Sequence, residues 1–177
     1  MTSSSRAAVS DSTPLIYLAK IGRLEIIREV FPEIYIPEAV YDEAVTQGKA
    51  LNMSDASIIE KAVGTWIIKE RVEPEVDAEY SFLDTNTRLG LGEKEALKLC
   101  KQRDAAYFIA DDREARRVSR ILNIKSIGTC GTVVQAYRQD TITKREALQI
   151  IDNLVKVGLR ISPTVYRRLL DELKVSP

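Results

Sequence analysis

Ala8-Val9-Ser10-Asp11-Ser12-Thr13-Pro14-Leu15-Ile16 is the stretch on which the fold turns. A short apolar run ends at an acid, two hydroxyl residues follow, and Pro14 opens an apolar segment of helical period. The pattern predicts a strand, a tight turn and a helix start. Thr13 is the expected N-cap and Pro14 the first helical residue, because a hydroxyl accepts from the free first-turn N–H groups and Pro has no N–H to leave unpaired. Asp11 then stands at the C-terminal end of a strand, beside a helix N-terminus. In parallel α/β sheets, ligand sites gather along that edge. The simpler role for Asp11 is to cap the helix, and caps are commoner than sites.

Working outward, strands and helices alternate. The first strand is expected over Arg6–Ser10, after a frayed polar tail at Met1–Ser5. Helices follow over Pro14–Ile21, stopped at Gly22, and over Arg23–Phe31. Ile34-Tyr35-Ile36 reads as a strand, and Pro37 opens a helix through Val45 that Gln47-Gly48 ends. Asp55–Val63 reads as a helix and Thr65–Ile68 as a strand. Glu70–Thr87 reads as a charged loop around one helical turn. Glu93–Arg103 is a helix, Ala106–Ala110 an apolar strand, Asp112–Leu122 a helix and Ile124–Ile127 a strand. A helix from Thr129 or Gly131 runs to Tyr137. Two amphipathic helices, Thr143–Val157 and Pro163–Lys174, close the chain. The alternation predicts an α/β fold, three layers with a central, mostly parallel sheet and helices on both faces. One domain over residues 1–177 is expected, with a core at about 6–140 and a C-terminal helical extension at about 141–177.

Composition removes several kinds of chemistry. Lys plus Arg equals Asp plus Glu, at 26 each, so no global field draws a polyanion and any basic surface is local. That argues against a non-specific coater of DNA. Histidine is absent, which excludes His acid–base catalysis, Ser-His-Asp triads and His-ligated zinc. The two cysteines, Cys100 and Cys130, form no CxxC and sit among apolar residues, so they read as buried thiols suited to a reducing cytoplasm. No signal-like apolar run and no stretch of about 18 apolar residues occurs, so no membrane association is expected. Carboxylates, hydroxyls and hard metal ions remain.

The acids fall where such chemistry would need them. Asp11 follows the first strand. Glu43 lies at the border of its helix's apolar stripe, with Glu38 and Asp42 further out. Glu93 shares a helix face with Leu97 and Cys100. Asp111-Asp112 follows the most apolar strand. Each has a simpler explanation. Glu43 could pack its stem and send its carboxylate to water. Glu93 could complement a positive helix terminus. Asp111 with Glu114 matches a capping box. Taken together the simple explanations are strained, because unpaired acids at one edge of a sheet repel one another and their pKa values rise unless a cation holds them. Mg²⁺ or Mn²⁺ is the usual cation for carboxylate and water ligands.

At this point the chain resembles a known family. Asp11-Ser12-Thr13-Pro14-Leu15-Ile16, Ile36-Pro37-Glu38-Ala39-Val40-Tyr41-Asp42-Glu43, Leu91-Gly92-Glu93-Lys94-Glu95-Ala96, Ala110-Asp111-Asp112-Arg113-Glu114-Ala115-Arg116 and Ile127-Gly128-Thr129 look like the PIN-domain superfamily. The likeness is to its prokaryotic branch related to VapC-type toxins, and it covers roughly Val9 to Asp140. It implies a three-layer α/β/α fold and Mg²⁺- or Mn²⁺-dependent cleavage of RNA. The family's acids fall on Asp11, on Glu43, on Glu93 (where Asp is usual) and on the Asp111-Asp112 pair. Of that pair Asp112 is favoured as the ligand, with Asp111 as the cap. The family's hydroxyl falls on Ser12 or Thr13, which could orient the attacking water. Ala110 stands where relatives often carry a hydroxyl. The resemblance also points to a small antitoxin protein as partner, to a homodimer and to a cytoplasmic setting.

Arg113, Arg116, Arg117 and Arg120 recur at helical spacing and form one basic stripe on the helix that begins at the acid pair, with Ala115, Val118 and Leu122 roughly opposite. The stripe reads as a solvated face or as a track for an RNA backbone leading to the metal. The expected function is a metal-dependent endoribonuclease, the toxin of a toxin–antitoxin pair. The alternative is a catalytically weak or inactive PIN-like module that binds RNA or protein. A phospho-acceptor receiver is disfavoured, because its paired acids would follow the first strand and not a late one.

Overall fold

The computed structural model describes residues 7–174. The expected Met1–Ser5 tail and Arg6 lie outside the described residues. Strand β1 (Ala7–Ser10) is fully buried and forms the middle of a five-stranded sheet. Helices α1 (Ser12–Lys20) and α2 (Ile26–Val30) lead to β2 (Glu33–Pro37). A continuous helical run follows, made of α3 (Glu38–Tyr41), a π-helical segment (Asp42–Gln47) and α4 (Gly48–Ala50). Next come α5 (Ser54–Ala62), β3 (Ile67–Glu70), α6 (Pro74–Glu79) and a 3₁₀ turn (Ser81–Thr85). Helix α7 (Leu91–Gln102), β4 (Tyr107–Ile109), α8 (Arg113–Ile121), β5 (Ser126–Ile127) and α9 (Thr129–Arg138) complete the sheet unit. Helices α10 (Lys144–Lys156) and α11 (Pro163–Lys174) follow, and both pack on α9.

The strand order is β3-β2-β1-β4-β5, and every pairing is parallel. Helices flank the sheet in a three-layer α/β/α arrangement. A parallel sheet covered on both faces needs strands that are apolar throughout. Ala7-Ala8-Val9, Ile34-Tyr35-Ile36 and Phe108-Ile109 meet that need and are buried. Register places Val9 opposite both Tyr35 and Phe108. From β1 the chain moves out to β2 on one side and returns to β4 on the other. The crevice outside the carboxyl ends of β1 and β4 is therefore the topological switch point, where α/β sheets bind ligands.

Several local expectations change. Helix α1 begins at Ser12, with Asp11 in the N-cap position, so Thr13 is not the cap. Pro14 fits at the third helical position because all first-turn N–H groups lack intrahelical partners. Gly48 does not end its helix. It has ordinary helical backbone, and a Cβ there would lie 2.8 Å from the Cβ of Ala56, so its role is to let α4 approach α5. Helix α2 and strand β5 are shorter than their apolar patterns suggest. Glu70–Thr87 holds two helical elements, pinned by Lys98. That ammonium is 2% exposed and bonds Asp77 at 2.6 Å and Asp84 at 2.9 Å, contacts far apart in sequence and invisible to local pattern. Both cysteines are free and buried, as expected, and burial pushes the Cys130 thiol up to about 12. Among the described residues no helix is long and apolar enough to cross a membrane.

Candidate active site

Asp11 is fixed first. Its N–H donates to the Ile109 carbonyl at 2.9 Å, extending the β1–β4 ladder by one residue. The side chain therefore emerges at the C-terminal edge of the central strand. Although Asp11 is in the N-cap position, its carboxylate makes no capping hydrogen bond. It is 3% exposed, and its pKa is pushed up to about 7. Burial is the largest cause, followed on the raising side by the charges of Glu93, Glu43 and Asp111. The Ser12 N–H opposes them. An isolated buried carboxylate is costly, and here three more surround it.

Glu43 comes from the π-helical segment, a wide helical geometry that favours functional positions. The Ser12 hydroxyl donates to Glu43 Oε2 at 2.9 Å. Gly92 lies against the same carboxylate: a Cβ there would come within 2.9 and 3.0 Å of its two oxygens. The missing side chain is what leaves room for Glu43. Ser12 is thus engaged with a carboxylate, while Thr13 is half-buried in the first turn of α1. Glu93 accepts from the Gly90 N–H at 2.8 Å and so caps α7, the simple role considered for it. It is also drawn into the cluster. Burial raises its pKa, Gly90 opposes, and Asp112 and Glu43 raise it further.

The cap expected at Asp111 falls on Asp112 instead. Asp112 is the cap of α8: its Oδ1 accepts from the Ala115 N–H at 2.9 Å. Asp111 does not cap, and Glu114 closes no capping box with it. A helix that starts at Arg113 leaves Asp112, not Asp111, in range of the first-turn N–H groups. Asp111 turns instead to Thr129, whose N–H donates to Oδ1 at 2.9 Å and whose hydroxyl donates to Oδ2. Burial raises the Asp111 pKa, while Thr129 and Arg116 oppose. Gly128 makes this contact feasible, since a Cβ there would meet Asp111 Oδ1 at 2.8 Å.

Five chain segments thus converge on one sheet edge: the β1–α1 junction, the π-helical segment, the start of α7, the β4–α8 junction and the start of α9. The donor set is carboxylate oxygen with a supporting hydroxyl, which suits a hard divalent cation. Among the described residues, no three acidic or thiol groups already close around one point. Mg²⁺ does not require them to, because it is usually held by one or two carboxylates and several waters. Thr129, Gly92 and Gly128 carry functional geometry that the sequence did not assign to them. Their signal was their place within the Leu91-Gly92-Glu93 and Ile127-Gly128-Thr129 segments.

The arginine stripe is exposed as expected but not uniform. Arg117 pairs with Glu114 at 2.8 Å, and Glu114 also accepts from the Asn86 side chain at 3.1 Å. Arg117 first, then Asn86, holds the Glu114 carboxyl down to about 2. Arg120 folds back onto the Arg116 carbonyl at 3.3 Å.

The sequence profile of the PIN-domain family DUF3368 matches residues 7–175, and the chain belongs to that family. No curated protein matches by sequence. The crystal structure of Mycobacterium tuberculosis VapC20, a sarcin–ricin loop cleaving toxin, is similar in fold. Its TM-score is 0.50 at 12% sequence identity, covering 63% of this chain and 94% of the toxin. At that identity the likeness speaks for the fold.

Proposed function

Taking membership of the PIN-domain family as the premise, we propose that this chain is a Mg²⁺- or Mn²⁺-dependent ribonuclease that hydrolyses RNA phosphodiester bonds. The observation that carries the reading is Asp11: a carboxylate 3% exposed, at the switch point of a parallel sheet, with three other acids acting on it. In this reading Asp11 with its neighbours Glu43, Glu93 and Asp111 would supply the one or two direct carboxylate ligands and the water-mediated contacts that hold the ion, and Asp112 stands at the rim as a cap. The ion, when bound, neutralises phosphate charge and lowers the pKa of water. Ser12 and Thr129 each orient one of these carboxylates. Glu93 would take the proton from water as a carboxylate, the chain having no histidine to serve as base.

A toxin role follows in the same reading. The antitoxin would be a small protein that covers the carboxylate crevice, and RNA would be the substrate it displaces. The test is cleavage of a single-stranded RNA by wild type and Asp11→Asn, each with Mg²⁺, with Mn²⁺ and with EDTA. Metal-dependent cleavage lost in the variant supports the reading. Equal cleavage by both proteins, or none by a folded wild type supplied with either ion, overturns it. The second outcome would favour an RNA- or protein-binding module.

A further inference from the structure

Three arginines of α8 have distinct environments. Arg117 is neutralised by Glu114 and Arg120 lies along its own helix. Arg116 lies beside Asp111 of the acid cluster. Its Nη1 lies 3.8 Å from the point where a Gly128 Cβ would stand, and Asp111 Oδ1 lies 2.8 Å from that same point. Yet Arg116 forms no ion pair with Asp111, whose two oxygens are occupied by Thr129. The guanidinium therefore sits beside the acid cluster with its side-chain donors uncommitted among the described residues.

A phosphodiester approaching four carboxylates meets strong repulsion. One divalent ion offsets only part of that charge. A fixed cation at the rim is needed to hold the phosphate, and a planar guanidinium with paired N–H groups matches two phosphate oxygens. We propose that Arg116 binds a non-bridging oxygen of the substrate phosphate beside the acid cluster, and that Arg117 is a structural ion pair and not part of an RNA track. This rests on the nuclease reading above and assigns its phosphate-holding residue.

The test compares Arg116→Ala, Arg116→Lys and Arg117→Ala with wild type. Three readouts are taken: Mn²⁺ binding by calorimetry, RNA cleavage, and binding of a single-stranded RNA oligonucleotide in EDTA by fluorescence anisotropy across a salt series. Arg116→Ala is expected to bind Mn²⁺ as wild type does, and to lose about 10- to 100-fold in kcat/KM, the range of a charge-assisted hydrogen-bonded pair. Its RNA affinity in EDTA should fall, with a shallower salt slope. Arg116→Lys should recover only part of the loss, because a point charge does not replace the fork. Arg117→Ala should lose no more than about fivefold, as for an exposed charge pair. Equal losses for Arg116→Ala and Arg117→Ala overturn the proposal, as does an unaltered Arg116→Ala. Failure of the nuclease reading is distinct: wild type would then neither take up Mn²⁺ nor cleave, and the anisotropy series alone would decide whether Arg116 holds phosphate.

Discussion

Replacing Asp11 by Asn should make the protein more stable in neutral and alkaline solution while removing its proposed chemistry. In the fold the Asp11 pKa rises from an ordinary 3.8 to about 7. The folded chain therefore holds a proton, between pH about 4 and about 7, that the unfolded chain has released. Stability contributed by this site falls as pH rises through that window and levels off above it. At about 1.36 kcal/mol for each tenfold change in proton affinity, the full penalty above pH 7 is about 4 kcal/mol. Asn preserves the shape but still has an amide to desolvate, so roughly half, about 2 kcal/mol, should appear as a gain. For a chain of this length that is a rise in Tm of about 4–8 °C. Thermal melts of both proteins at pH 8, pH 5 and pH 4 in EDTA measure it. The gain should be largest at pH 8, close to zero at pH 5, and reversed to a loss of about 1–2 kcal/mol near pH 4, because the amide cost does not change with pH. Mn²⁺ added at pH 8 should raise the Tm of wild type and not of the variant. A variant less stable than wild type at pH 8, or a gain independent of pH, would refute the reasoning.

Gly92→Ala should leave stability within about 1 kcal/mol of wild type, the better helix former offsetting the displaced Glu43 side chain. The new Cβ displaces the Glu43 carboxylate, so RNA cleavage should fall about 100-fold in the same protein. Thr129→Val keeps the shape but removes the hydroxyl donor to Asp111. Calorimetry should show Mn²⁺ affinity about tenfold weaker, as for loss of a group that orients a ligand, and an unaltered affinity would deny Thr129 that role. Lys98→Ala leaves Asp77 and Asp84 without their shared cation. It should cost about 2 kcal/mol and speed amide exchange over Pro74–Thr85, while unchanged exchange there would show that Lys98 does not hold the segment.

What could be read from the sequence was what depends on neighbours in the chain. The apolar runs at Ala7-Ala8-Val9 and Phe108-Ile109 announce buried parallel strands, and the acids that follow them mark the sheet's C-terminal edge. The positions of Asp11, Glu43, Glu93 and the Asp111-Asp112 pair therefore came from pattern and resemblance. What could not be read depends on partners distant in the chain. The cap expected at Asp111 falls on Asp112 because Thr129, 18 residues on, takes Asp111 and the start of α8 takes Asp112. Gly48 looks like a helix stop until Ala56 is packed against it. The π-helical turn that carries Glu43 has no local signature. Arg116 and Arg117 both belong to the basic stripe read from the sequence, and only Glu114, Asn86 and Gly128 tell them apart.

The central claim is that the carboxylates gathered at the end of β1 hold a divalent cation. Isothermal titration of Mn²⁺ into wild type and into Asp11→Asn at pH 8 tests it most directly. The account predicts a saturable site in wild type that is lost in the folded variant. Identical heats from the two proteins would contradict it, whatever else the chain is found to bind.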